Sequence, residues 1–172
     1  MTLDSYYRPM DDLPFAERQK ANFDVPDALE WELLFEHLSR LSAGEAIDEP
    51  MYDFTLYTRT PSIRRVEPCE YVIVEGLFTL YWDEVRGALD TGVFVKTAPG
   101  VCFDRRLARD VAERGRTPQG VLEQYEKTVR PSAETYIWPT ERLADIVVSG
   151  EQPIEVSTAA ILARLRQRAA VA

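Results

Sequence analysis

The chain has 172 residues, 45% hydrophobic and 28% charged, a composition that supports a globular protein with a buried core. A net charge of −9 argues against a general binder of nucleic acid or of anionic membranes. One histidine and two distant cysteines, Cys69 and Cys102, provide no histidine triad, no multi-histidine metal site, no zinc motif and no disulfide framework. No apolar run approaches the ~18 residues of a spanning helix, and no signal sequence follows Met1, so the expected compartment is the cytoplasm.

The first residues, MTLDSYYRP, carry Asp4, Tyr6 and Tyr7, side chains suited to a site, with little ahead of them to hold them. Pro26-Asp27 opens a helical pattern with Trp31, Leu34, Leu38 and Leu41 on one face, and Gly44 stops it. His37, on this helix, reads as a surface or interface residue. MYDFTLYTRTPSIRRVEP predicts two extended runs around Thr60-Pro61-Ser62, a hairpin within about residues 45–68. YVIVEG (71–76) and GVFVKT (92–97) have the short continuous apolar character of buried parallel strands, the first with an acid at its carboxyl end. Val101 to Arg114 reads as a helix with Leu107, Ala108 and Val111 facing in. Val121, Leu122, Tyr125 and Val129 mark another. ADIVVSG (144–150) reads as a last buried strand, and Pro153 to Arg168 as a closing amphipathic helix. Strands alternating with helices predict an α/β protein with a parallel sheet, in one domain, its ligands at the carboxyl ends of the strands.

Three constellations carry chemistry. Of the 20 basic residues only three are lysines, and five arginines fall between Arg105 and Arg116. Arg106 and Arg109 share a helix face, while Arg114 and Arg116 flank Gly115, where the helix can stop. Pairing of Asp110 with Arg114 and of Arg109 with Glu113 accounts for part of this charge. The remainder suits a polyphosphate, because the guanidinium fork matches phosphate geometry. Glu75 stands either as a strand-end cap or as a ligand for Mg²⁺. Phe23, Asp24, Tyr52, Phe54 and Tyr57 supply flat faces for a heterocycle and a carboxylate for a ribose diol.

Taken in order, Asp-Ser-Tyr-Tyr-Arg at 4–8, Asn-Phe-Asp-x-Pro-Asp-Ala at 22–28, Tyr-Asp-Phe at 52–54, Glu-Gly at 75–76, Arg-Asp-x-x-Glu-Arg-Gly-Arg at 109–116, Gln-Tyr at 124–125 and Pro-Thr at 139–140 resemble the uridine/cytidine kinases. These belong to the P-loop kinase group that includes phosphoribulokinase, and the resemblance runs from residue 2 to about 165. It implies a parallel sheet flanked by helices, a hairpin insertion, a helical lid over about 101–130, and ATP-dependent phosphorylation of cytidine or uridine at the 5′-hydroxyl, a pyrimidine salvage step. Asp4 matches the catalytic base and shares a Mg²⁺ site with Glu75. Asp24 matches the carboxylate on the ribose, with Arg106 and Gln124 also on the nucleoside side. Tyr7, Phe23, Tyr52 and Phe54 match the wall around sugar and base, and Arg109, Arg114 and Arg116 match lid arginines on the phosphates. Self-association into a homo-oligomer is a further expectation from the resemblance.

Two departures qualify it. The pattern G-x-x-x-x-G-K-[ST] is absent: no glycine is followed by lysine, so the phosphate cradle and its lysine are missing, along with the strand before them. The expectation is a chain that begins late; the alternative is a degenerate relative that binds a nucleoside without catalysis. Tyr57 stands where the family commonly has histidine beside the base, which leaves the choice of base open. Phosphoribulokinase-like and pantothenate kinase-like activities are the rival enzymatic readings.

Overall fold

In this computed structural model, which describes residues 1–169, the first residues lie along the segment that precedes Gly76. Thr2 and Glu75 form a parallel bridge: Leu3 N–H donates to the Glu75 carbonyl at 2.8 Å, and Glu75 N–H donates to Met1 at 3.1 Å. The Met1 ammonium reaches the Ile73 carbonyl at 2.8 Å. This bridge is all that forms of the strand expected at 71–76. Apolar strands are stable when neighbours pair both edges and cover both faces; here Tyr71 and Ile73 are 69% and 79% exposed. Gly76 is where the two segments come closest, since a Cβ there would lie 2.2 Å from Leu3 Cβ. Only glycine fits.

Residues Met1–Asp90 form one compact unit. A 3₁₀ turn, Leu3–Tyr6, buries Leu3 and Tyr6. Helix α1 (Phe15–Arg18) follows, then a second 3₁₀ turn at Pro26–Ala28. The continuous helix expected from Pro26 is broken. Leu29 is extended and bridged to Tyr7, and Glu30 N–H donates to the Tyr6 carbonyl at 2.8 Å. Helix α2 therefore starts at Trp31 and runs to Ser42, with Leu34, Leu38 and Leu41 buried as their spacing requires. Strands β1 (Ile47–Asp53) and β2 (Thr58–Val66) pair antiparallel. Their turn is Phe54–Tyr57, not Thr60-Pro61-Ser62. Asp53 Oδ1 makes the turn by accepting from Thr55 N–H at 2.7 Å, Thr55 Oγ1 at 2.6 Å and Leu56 N–H at 3.2 Å. Thr60–Ser62 instead fall where the register slips between Pro50 and Tyr52, a bulge that accommodates a proline inside a strand. Helix α3 (Asp83–Gly87) closes the unit, with Phe78, Leu80, Trp82 and Val85 buried beside it in sequence.

His37 is buried within the first unit, against the expectation of a surface or interface position. Its Nδ1 lies 2.9 Å from the Tyr6 hydroxyl. Burial pushes the Tyr6 phenol well above its ordinary value and lowers the His37 imidazole, with Glu36 opposing the latter. The fold thus holds His37 neutral, while the unfolded chain protonates it near pH 6.5. Below that pH the unfolded state binds more protons, so stability is lost as pH falls from about 7 through 6.5 and levels off beneath the folded pKa. In urea unfolding between pH 7 and 5, His37→Gln is expected to lose less stability than the parent over that window. Parallel curves for the two proteins would rule this out.

The second unit begins at Thr91. Strands β3 (Val93–Lys96) and β4 (Ile146–Ser149) pair in parallel, Val93 with Ile146 through Lys96 with Ser149, where GVFVKT and ADIVVSG predict them. They are not the buried strands expected: among the described residues this sheet has two strands, Val148 alone of them is buried, and Val95 and Val147 are 60% and 43% exposed. Helix α4 (Pro99–Arg114) takes proline at its first turn and ends at Gly115, left-handed at φ 63°. Thr117 caps α5 (Pro118–Gln124), its hydroxyl accepting from Gly120 N–H at 3.1 Å. The chain continues through π-helical turns at Tyr125–Val129 and Ala133–Ile137 on either side of α6 (Arg130–Ser132), then a 3₁₀ segment at Trp138–Leu143. Helix α7 (Ile154–Ala169) is tied to the start of β4 by Arg164 and Asp145, 3.3 Å apart. Hydrophobic periodicity misplaces the inner face of α4. Ala108 and Val111 are exposed, Leu107 is half-buried, and the buried residue is Asp110.

Candidate active site

The first group of predicted site residues gathers in the first unit around Tyr7 and Tyr52. The rings of Tyr7 and Tyr52 lie 5.2 Å apart, and Tyr52 and Phe54 also 5.2 Å. Phe23 meets Tyr7 edge-on at 5.5 Å and stacks on Tyr57 at 5.8 Å. Tyr7 is fixed by its hydroxyl, which donates to the Phe23 carbonyl at 3.1 Å. Asp24 follows Phe23 directly, with its N–H held by Asn22 Oδ1 at 3.0 Å. Phe15, which nothing in the sequence pattern marks, packs on Tyr57 at 5.9 Å.

Two features mark this cluster as more than core. The Tyr52 hydroxyl is buried and has no hydrogen-bond partner among the described residues. Burial, then Tyr57, raise its phenol to about 12, and Asp4 adds to the rise, which puts the Asp4 carboxylate within electrostatic reach. Leaving such a group unsatisfied costs about 1–3 kcal/mol, a cost that a ligand hydroxyl or carbonyl removes. Second, Tyr57 sits at φ 54°, a left-handed conformation that is uncommon for a bulky residue and costs roughly 1–2 kcal/mol.

Backbone pairing sets Glu75 against Thr2 and Leu3, the two residues just before Asp4. Leu3, which donates to the Glu75 carbonyl, immediately precedes Asp4, and Asp4 N–H lies 3.4 Å from Thr2 Oγ1. Glu75 is exposed and Asp4 half-buried. Among the described residues no group of three or more His, Cys, Asp or Glu is placed to hold a metal. Two carboxylates suit Mg²⁺, which commonly takes one or two from the protein and completes its shell with water and phosphate oxygens.

The arginines form their own cluster in the second unit, and Asp110 is its centre. Asp110 Oδ1 accepts from Arg109 Nε at 3.0 Å and lies 3.5 Å from Arg114. Oδ2 accepts from Arg116 at 3.1 Å and lies 3.6 Å from Arg106 Nε. Gln124 Oε1 joins Arg116, at 2.5 Å, to Arg106, at 3.3 Å. So Arg106, Arg109, Arg114 and Arg116 are brought together as their spacing suggests, joined by Gln124, which the resemblance and not spacing marks, and Arg109 pairs with Asp110 rather than with the expected Glu113. Arg105 is not among them; it donates to the Gly150 carbonyl at 2.9 Å. Asp110 lies four residues from both Arg106 and Arg114, a spacing that announces contact with both. A groove of about 480 Å³ lined by Lys96, Thr97, Pro99, Ser149 and Glu151 opens at the carboxyl ends of β3 and β4.

The fold is α/β and of the P-loop kinase type. A crystal structure of a proposed fructose transport system kinase from Silicibacter sp. TM1040 superposes with a TM-score of 0.68 over 86% of this chain and 73% of that one, at 15% sequence identity. A sequence model of the phosphoribulokinase/uridine kinase family matches residues 1–157. The uridine kinase of Geobacillus kaustophilus is 43% identical over 170 residues, 96% of this chain and 81% of that protein. The uridine kinase of Chloroflexus aggregans is 41% identical over 94% of this chain and 78% of its own length. That of Anoxybacillus flavithermus is 45% identical over 84% of this chain and 69% of its own. The chain belongs to the phosphoribulokinase/uridine kinase family, and its class of activity is that of a kinase. Among the described residues no helix is long and apolar enough to cross a membrane.

Proposed function

We propose that this chain carries the acceptor site and lid of a pyrimidine nucleoside kinase, which transfers the terminal phosphoryl group of ATP to the 5′-hydroxyl of cytidine or uridine. The orphaned Tyr52 hydroxyl carries this reading: a buried donor inside an aromatic cluster suits a ligand that has a flat ring and polar edges. Relatives named uridine kinase support the same choice. In this reading Asp4 is the catalytic base, taking the proton of the attacking hydroxyl. Asp24 holds the ribose diol, and Arg106 and Gln124 also serve the nucleoside. Tyr7, Phe23, Tyr52, Phe54 and Tyr57 wall the sugar and base. Arg109, Arg114 and Arg116 lie in a lid over about 101–130 and neutralise the phosphates, and residues 45–68 form a hairpin insertion. Asp4 and Glu75 would hold Mg²⁺, which supplies charge neutralisation at the transferring group. Phosphoryl transfer needs positioning and charge more than covalent chemistry, and this set provides both. Cytoplasmic pyrimidine salvage is the corresponding cellular role, with the homo-oligomer formation that the resemblance implies.

The 172 residues contain no phosphate loop, so as they stand they should bind nucleoside with negligible turnover. The test is to place a strand, phosphate loop and helix of the kind the resemblance implies ahead of Met1. The extended chain should phosphorylate cytidine or uridine at about 1 per second or more. A folded, inactive graft, or one that prefers ribulose 5-phosphate, would defeat the proposal.

Tyr57 should set the base preference. Cytosine offers an amino donor where uracil offers a carbonyl. Neutral histidine can meet either by changing tautomer, whereas a phenol held as acceptor suits only cytosine. The mismatch costs about 1–3 kcal/mol, roughly one to two decades in kcat/KM. Cytidine should be preferred, and Tyr57→His should narrow the gap while easing the left-handed backbone, which histidine adopts more readily. Equal use of both nucleosides by the parent graft would end this assignment.

A further inference from the structure

We infer that Asp110 is the positioning residue of the arginine cluster: its buried carboxylate, which also pairs with Arg106, fixes Arg109, Arg114 and Arg116 into an array that grips a polyphosphate chain. This rests on the phosphoryl-transfer reading of the cluster. Asp110 is wholly buried, yet the arginine side chains around it keep partial exposure, 43% for Arg109 and 30% for Arg116. Arg109 places Nε and one terminal nitrogen on a single carboxylate oxygen, at 3.0 and 2.9 Å. Arg116 divides one terminal nitrogen between Asp110 and Gln124. A guanidinium has five donors in a rigid fork, so fixing one edge aims the others. The backbone of Asp110 takes part as well. Its carbonyl accepts from both Gly115 and Arg116, so one residue sets where α4 ends and where Arg116 departs.

Four guanidinium groups this close repel one another, and each long side chain loses rotamer freedom when it is ordered on a ligand. A carboxylate at the centre offsets the repulsion, incurs the ordering cost in advance, and leaves the group cationic. The opposite role is also physically defined. A carboxylate that merely occupies the anion site would compete with phosphate, and its removal would tighten binding.

Calorimetric titration of the 172-residue chain with inorganic tripolyphosphate, and with orthophosphate for comparison, separates the two. Asp110→Asn should weaken tripolyphosphate by roughly tenfold or more, shrink its advantage over orthophosphate, and leave the far-ultraviolet helix signal in place. Equal or tighter tripolyphosphate binding by a folded Asp110→Asn protein overturns the inference alone. An unaltered chain that binds no tripolyphosphate overturns the phosphate reading and the inference with it. Should the asparagine variant not fold, the unaltered chain still decides by NMR. The Arg109 Nε–H should exchange slowly without ligand and shift on adding tripolyphosphate, whereas exchange as fast as that of an exposed arginine overturns the inference.

Discussion

Replacing Asp4 by asparagine in the phosphate-loop graft should lower kcat by roughly 10²–10⁴-fold, the usual worth of a positioned general base. Asparagine keeps the shape of the side chain and the 3₁₀ turn that presents it. The backbone N–H of residue 4, which Thr2 Oγ1 faces at 3.4 Å, is untouched by the change. What is lost is the ability to accept a proton and the negative charge that Mg²⁺ would meet. Binding of cytidine or uridine, followed through the fluorescence of the nearby tyrosines, should change little, because the aromatic wall of Tyr7, Phe23 and Tyr52 remains. The measurement is kcat and nucleoside KM for both forms at saturating ATP. A variant that keeps most of its kcat would move the base elsewhere. Loss confined to nucleoside KM would make Asp4 a binding residue.

How far the sequence reaches is visible in particular elements. The buried face of α2 follows from apolar spacing, because water exclusion is what forms it, and the strands at 93–96 and 146–149 stand where apolar runs place them although Val148 alone of their residues is buried. The turn of the hairpin does not. Pro-Ser at 61–62 has turn chemistry, but Asp53 binds three donors of the next turn and takes the reversal earlier. The break before α2 depends on pairing with Tyr7, more than twenty residues away, which no local pattern contains. The segment at 71–76 has a strand's composition, yet a strand exists only where a neighbour pairs with it. In α4 the rule of apolar residues inward points to Val111, while the residue taken inside is an acid compensated by four cations. Most members of both clusters stand in motifs in order, Phe15 excepted; that the Tyr52 hydroxyl lacks a partner among the described residues, and that Asp110 is the hub, depends on packing.

Arg116→Ala separates the two sides of the arginine cluster. In the graft it should cut kcat on the order of 10³-fold, the scale of a transition-state arginine in phosphoryl transfer, and raise the KM for ATP. Nucleoside KM should stay within a few-fold. The reasoning runs through Gln124. Arg116 and Arg106 share its Oε1, so removing Arg116 frees that oxygen while Arg106 keeps both Gln124 and Asp110. Asp110 likewise keeps Arg109 and Arg114, so the buried carboxylate stays neutralised and α4 stays intact. The loss therefore falls on charge that develops at the transferring phosphoryl group rather than on the fold or on the nucleoside. Steady-state kinetics with each substrate varied in turn, together with the melting temperature, provide the reading. If nucleoside KM rises while kcat and the KM for ATP hold, Arg116 belongs to the acceptor side and the division of roles between Arg106 and Arg116 must be reversed.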